Sequence, residues 1–176
     1  MFLRAVSAVS LGLLIAGCAS RSSQPPLVQA VLDGMGNEAL RGAVQVLPSP
    51  FGKGGVQILV VAEGLTPGDH GFHIVDAKAC DQAAAASHFN PFRRRHGHPE
   101  AAEQHLGDLP NLKADASGRV AARFYLDALP VGEREPTVLG KAIVINANGD
   151  DAMSQPDGNS GAIQACGLLL APPPVR

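Results

Sequence analysis

The chain has 176 residues, room for one domain around one core, and its 14 basic against 16 acidic residues give a formal charge of −2, which argues against a nucleic-acid partner. Apolar residues make up 45% of it but aromatics only 4%, and 20 Gly with 14 Pro point to many turns and few long helices.

In chain order, the first element stands apart from the domain. "MFLRAVSAVSLGLLIAGC" sets Arg4 ahead of an apolar run that closes on small residues. This pattern predicts a secretory signal over residues 1–17, too short for a comfortable membrane span. Its end, Leu14-Ile15-Ala16-Gly17-Cys18, resembles a bacterial lipobox, in which the cut falls before the Cys and its thiol receives a diacylglycerol. The alternative is an ordinary signal with an incidental Cys. Ala19 at the next position resembles the outer-membrane default. On this reading residues 18–26 are a lipidated Cys and a flexible tether, and the folded domain spans 27–172. The chain is then an outer-membrane lipoprotein of the bacterial cell envelope, facing the periplasm or the cell surface, with the membrane as a partner through its lipid anchor.

Strand-like runs follow: Leu27–Leu32, Gly42–Leu47, Gly55–Ala62, His70–Val75, Arg119–Leu126, Lys141–Asn146 and Ala162–Leu169. Alternating apolar residues, β-branched side chains and Gly, Pro and Asp punctuation support them. Phe124 and Tyr125 alternate on one of these runs, so at least one belongs to the core. Pro99–Leu106 competes as a two-turn helix, and Ala83–Ala86 as a helical turn. Two long polar excursions, Asp76–Leu109 and Ala147–Gly161, interrupt the pattern. Loops of that length in a compact domain are usually functional. Seven or eight short strands with no internal repeat predict an all-β antiparallel sandwich or barrel. No Gly-rich phosphate loop precedes a helix, so no nucleotide cofactor is expected.

With Cys18 assigned to lipid, Cys80 and Cys166 remain as an even pair, either a disulfide in an oxidising compartment or two buried thiols. Four of the six histidines, His88, His96, His98 and His105, fall between Ser87 and Asp108. A lone surface imidazole is usually solvated and inert. The spacing His88-x7-His96-x8-His105-x2-Asp108 instead offers three nitrogens and one carboxylate oxygen, a set that suits a closed tetrahedral zinc site. Arg93–Arg95 reads as a solvated loop face beside it, and Met153 as a surface residue.

Four segments carry a resemblance: "GFHIVDAKAC", "SHFNPFRRRHGHPEAAEQHLGDLPNL", "NANGDDAMSQPDGNSGA" and "ACGLL". In order and context they resemble the copper/zinc superoxide dismutases of the bacterial secreted kind, over roughly Leu27–Leu170. The resemblance implies an eight-stranded antiparallel Greek-key β-barrel with a zinc loop, an electrostatic-type loop and a Cys80–Cys166 disulfide. It places the four zinc ligands on His88, His96, His105 and Asp108, with His88 shared between zinc and copper. It makes Asp150 the buried carboxylate that bonds one zinc and one copper histidine. His98 is an extra, where the family usually has a small residue.

The copper side departs from the pattern. The family reads Gly-Phe-His-x-His; here Gly71-Phe72-His73-Ile74-Val75 keeps the first histidine and puts Val75 at the second. Asn146 stands where a fourth copper histidine is expected, and Ile163 where the family has an Arg that attracts superoxide. Only His73 and His88 remain of the copper set. The sequence therefore predicts one zinc per chain, no copper, and a dismutase-like lipoprotein that is not an active dismutase. Two alternatives stand beside it: a weak copper-dependent dismutase with a substitute ligand such as His98 or Asn146, and a metal-buffering protein of the envelope. Oligomeric state and any protein partner are left open.

Overall fold

The computed structural model describes residues 25–174 apart from residues 53, 100 and 102. The signal sequence and Cys18 lie outside the described residues. Eight strands make one antiparallel sheet: β1 Val28–Gly34, β2 Arg41–Pro48, β3 Val56–Glu63, β4 Gly68–Val75, β5 Asp108–Ala114, β6 Val120–Leu126, β7 Ala142–Asn146 and β8 Ile163–Leu168. Their order across the sheet is β5-β4-β7-β8-β1-β2-β3-β6. The sheet curls until its two end strands, β5 and β6, approach each other, so the barrel is nearly closed. The β3–β4 and β6–β7 connections cross between its two halves, which gives the Greek-key path.

Alternation explains the barrel interior. Val28, Ala30 and Leu32 on β1, Val44 and Val46 on β2, and Val56, Ile58, Val60 and Ala62 on β3 all point inward and are buried. Each fully buried Val, Leu or Ile contributes about 1.5–3 kcal/mol of transfer free energy. On β6, Phe124 packs against this core while Tyr125 faces out and meets the Phe51 ring at 5.0 Å.

β4 and β7 differ from the other strands. All five residues of β7 are buried, as are the last six of β4. One face of this pair fills the barrel with Phe72, Ile74, Ile143 and Ile145. The other is covered by the two excursions. There Val75, Ala77, Ala83, Val144 and Cys166 form a second apolar cluster, with Ile163 packed against it. The Cys80–Cys166 disulfide, Cα atoms 5.8 Å apart, ties the first excursion to β8 through this cluster. Cross-linking residues 86 apart contributes about 4–5 kcal/mol in the chain-entropy account.

The structure corrects two expectations. Asp108–Ala114 is a strand, although Pro110 breaks its pattern and the first excursion was expected to run to Leu109. Pro110 is tolerated because β5 stands at an end of the sheet, where one side of the strand makes no ladder bonds. The predicted helix over Pro99–Leu106 is absent among its described residues, which form turns and irregular backbone. Two turns are too short to be stable alone. The backbone N–H groups of Gly97 and His105 instead donate to the Asp108 carboxylate. The turn expected at Ala83–Ala86 is a 3-10 helix, Cys80–Ala85.

Candidate metal centre

Backbone pairing beside β4 brings distant residues together. After the first excursion leaves β4, residues 87–89 return along it: Asp76 N–H donates to Ser87 O and Phe89 N–H to Ile74 O. Ile74 N–H donates in turn to Gly107 O. His88 and Asp108 thereby flank the end of β4. Gly107 is required at this crossing, since a Cβ there would overlap the Ile74 carbonyl oxygen. The sequence reading missed Gly107, and a Gly directly before a ligand-bearing strand is the signal that points to it.

The four residues singled out by spacing converge. His88, His96, His105 and Asp108 are all buried, with one ligand atom from each lying within 4.8 Å of the others. Asp108 is the hub. Its Oδ1 is 2.8 Å from His88 Nδ1 and 3.1 Å from His105 Nδ1. Its Oδ2 accepts the His105 backbone N–H at 2.9 Å and that of Gly97 at 3.2 Å. His96 Nδ1 lies 3.2 Å from Asp108 Oδ2, yet it is buried without a properly oriented hydrogen-bond partner. A buried polar atom left so is costly, and one aimed into a ring of lone-pair donors fits a cation. Ligand bonds of about 2.0–2.2 Å put the corners of a tetrahedron about 3.4 Å apart, close to the Asp108 distances. Three nitrogens and one carboxylate oxygen, with no water-facing corner, make a donor set for a tetrahedral divalent metal.

A second carboxylate braces this cluster. Asp150 Oδ1 is 3.0 Å from His96 Nε2, and its Oδ2 is 2.7 Å from His73 Nε2. Asp150 is itself held by Asn111, which accepts its backbone N–H and donates to its carbonyl, each at 2.9 Å. Gln155 clamps the His96 backbone in the same two-way manner, at 3.0 and 2.8 Å. Gly158, with φ of +66°, lies so close that a Cβ would overlap the Asp150 carboxylate. Two loops far apart in sequence are thus joined at His96.

Charge follows the geometry. Burial disfavours a charged His96, but the Asp108 and Asp150 carboxylates outweigh it and push its pKa up to about 10. Burial likewise opposes ionisation of Asp108, yet its contacts with His105, His88 and His96 hold the carboxyl far below the usual range. Asp150 is held low in the same way, against burial, by His73 and His96. His88 moves the other way, lowered by burial and by His73 despite its contact with Asp108. Both carboxylates therefore present negative charge to the buried imidazoles.

The neighbouring position is built differently. The His73 and His88 rings stack with centroids 4.0 Å apart. His73 Nδ1 meets Asn146 Oδ1 at 3.0 Å, while Asn146 Nδ2 donates to Gly161 O at 2.9 Å. Val75 and Ile163 lie in or against the apolar cluster around the disulfide. Val75, His88, Asn146 and Ile163 all line a cavity of about 640 Å³ that opens beside this position. His98 and Arg93–Arg95 are exposed, His98 stands outside the ligand cluster, and Met153 is an exposed surface residue. The sequence reading also missed His70. It is buried in the bulge of β4 and bonds Asn146 O at 2.7 Å and Thr66 O at 2.8 Å, so it fixes the backbone of the strand opposite His73.

Comparison with known proteins follows this architecture. The family model of copper/zinc superoxide dismutase (SODC) matches residues 40–169. The chain belongs to the copper/zinc superoxide dismutase family. "Superoxide dismutase [Cu-Zn]" of Deinococcus radiodurans is 33% identical over 184 residues, covering 96% of this chain and 97% of that one. "Superoxide dismutase [Cu-Zn] 2" of Mesembryanthemum crystallinum is 33% identical over 153 residues, covering 81% and 95%. "Copper chaperone for superoxide dismutase" of Rattus norvegicus is also 33% identical, over 165 residues, and this chain spans 58% of its length. The eight-stranded Greek-key barrel and the disulfide expected from the sequence are both those of this dismutase-family member.

Proposed function

We propose that this dismutase-family protein holds one structural zinc through His88, His96, His105 and Asp108, takes no stable copper, and is not an active dismutase. One observation carries the copper half of this reading. The group opposite His73 is the amide of Asn146, and both ends of that amide are already hydrogen-bonded, to His73 and to Gly161. An amide oxygen is a poor substitute for imidazole on either copper oxidation state. Val75 has no donor atom and serves the apolar cluster instead, as does Ile163, which cannot attract an anion. The zinc half rests on the three-nitrogen, one-oxygen set and on the unpartnered, buried His96 Nδ1. Bound there, zinc would tie the turns of the first excursion to the start of β5 and supply folding free energy rather than a reactive position. Family membership alone does not fix the activity, since relatives carry the names of both dismutases and a copper chaperone.

Metal content tests this. Stripped protein offered equal Zn²⁺ and Cu²⁺, then desalted, is expected to retain one zinc and no copper per chain. One copper beside the zinc would defeat the proposal and favour the weak dismutase or the metal-buffering alternative. The stacked His73–His88 pair, of which His88 lines the cavity, is the feature those alternatives would use.

We also place the chain in the bacterial envelope as a lipoprotein anchored through Cys18, on the strength of the Leu14–Cys18 pattern. In cell fractionation the protein is expected with the membranes, and Cys18→Ser should release it to the soluble envelope fraction. An unchanged distribution would remove the anchor.

A further inference from the structure

The barrel end at which β1 begins collects exposed apolar side chains. β2 finishes there, β3 starts there and β6 finishes there, through the pairings Val28–Val46, Pro48–Val56 and Val56–Leu126. Among the described residues, Leu27, Phe51, Phe92, Tyr125 and Leu170 are large, apolar and exposed at this end, against Met35 and Met153 at the other. Two turns present the phenylalanines. Ser49-Pro50-Phe51-Gly52-Lys53 joins β2 to β3, and Asn90-Pro91-Phe92-Arg93-Arg94-Arg95 lies in the first excursion. Each reads Pro-Phe with a basic residue directly after it or one Gly later. Phe51 is 67% and Phe92 57% exposed. The second turn is stapled. Arg93 N–H donates to Asn90 O, and Arg93 takes a φ of +53°. The Asn90 side chain donates to Arg94 O at 2.8 Å and accepts Arg94 N–H at 2.9 Å. Phe92 is therefore held outward by its backbone, with the Arg94 guanidinium 5.4 Å from the centre of its ring. An apolar groove of about 470 Å³ runs from this ring to the start of β1, walled by Leu27, Val56, Leu106, Leu129 and Val131.

Leu27 is also where the chain leaves the barrel toward Cys18. Residues 19–26 span at most about 30 Å even when fully extended. An anchored Cys18 therefore holds this end of the barrel nearer the lipid than the other. Exposed rings and aliphatic side chains flanked by arginines suit the headgroup layer, where the rings enter the acyl boundary and the guanidinium groups stay among the phosphates. Residues 127–141 at the same end carry Asp127, Glu133 and Glu135 against Arg134 and Lys141, so attraction to an anionic surface rests on the exposed Arg93–Arg95. We infer that this end of the barrel is a membrane-docking face that seats Phe51 and Phe92 in an anionic lipid surface. This docking rests on the proposed Cys18 anchor and adds an orientation to it. Arg94 and Arg95 also border the cavity beside His88, so docking sets one wall of that cavity next to the headgroups.

The chain contains no tryptophan, so single substitutions can report position. Full chain carrying Phe51→Trp, Phe92→Trp or Met153→Trp is reconstituted into vesicles of phosphatidylethanolamine and phosphatidylglycerol, with or without brominated acyl chains that quench on contact. The Phe51→Trp and Phe92→Trp proteins are expected to lose about half of their emission or more to brominated lipid, and Met153→Trp almost none. Replacing phosphatidylglycerol with phosphatidylcholine should weaken the quenching. So should adding Arg93→Gln, Arg94→Gln and Arg95→Gln to Phe92→Trp, and unchanged thermal melting of each variant shows that the barrel is intact. Flotation with the vesicles reads the anchor separately. Protein that floats with none of the three variants quenched keeps the anchor and overturns the docking face, and a protein partner on this end would give that result. Equal quenching in all three variants overturns it too, as does quenching indifferent to lipid charge and to the arginines. Protein that does not float removes the anchor and the docking face with it.

Discussion

Asp108→Ala is expected to abolish stoichiometric zinc uptake and to lower the melting temperature of the protein by roughly 10 °C even without metal. The carboxylate is buried and lies against three imidazoles while accepting two backbone N–H groups. Removing one partner of a buried ionic cluster costs about 3–5 kcal/mol, because the other members stay buried and uncompensated. For a chain of this size each kcal/mol moves the midpoint by about 2–4 °C. Asp108→Asn separates the two roles. An amide keeps the shape and accepts the His105 and Gly97 N–H groups, so the metal-free protein should lose less stability. It provides no charge, so zinc should still be lost. Metal analysis with calorimetry reads both effects. An Asp108→Ala protein that keeps one zinc and melts within a few degrees of wild type would show that the cluster is not the metal centre.

The second large effect is a gain. Val75→His, Asn146→His and Ile163→Arg together are expected to create a copper site beside the His88–Asp108 cluster and raise superoxide dismutation well above the wild-type background. Val75 and Asn146 line the same cavity as His88; Val75 lies two residues beyond His73 on β4, and the Asn146 side chain on the paired β7 bonds His73 Nδ1. Imidazoles there raise the histidines grouped at this position, now His73 and His88, from two to four. Asn146→His also frees His73 Nδ1 from the amide that now bonds it. Ile163→Arg places a cation at the cavity wall, where low-dielectric surroundings strengthen its pull on an anion. The single variants should do far less, because copper needs the complete set. Copper-loaded triple variant is compared with wild type for bound copper and for dismutation at matched protein. A triple variant that binds no copper would mean these positions do not surround one site.

Both predictions rest on residues that were readable before any fold was known, for a definite reason. Three histidines and an aspartate at fixed spacing in one polar excursion are a local feature, and a donor set keeps its chemistry wherever the backbone carries it. The strands were readable too: a barrel wall with one wet face imposes the alternation that β1, β2, β3 and β6 keep, while β4 and β7, buried on both faces, showed as β-branched runs bounded by turn residues. β5 escaped because Pro110 breaks the alternation, and only its place at an end of the sheet makes that Pro harmless. The helix over Pro99–Leu106 failed because local propensity competed with a carboxylate that captures the backbone N–H groups of Gly97 and His105.

What the sequence determined by itself is the set of candidate donor residues, the strand runs and the even number of cysteines left in the domain, all of which follow from residue type, count and local pattern. The tertiary structure alone decided which distant groups meet. It set Asp150 between His96 and His73, clamped by Asn111, and it placed His70 behind Asn146. It also aligned Val31 with Ala43, Val61 and Ala121, from four separate strands, into one row. Those contacts depend on sheet register and on which strands become neighbours. Register is a property of the closed barrel, set by the packing of every strand at once, and no single stretch of chain contains it.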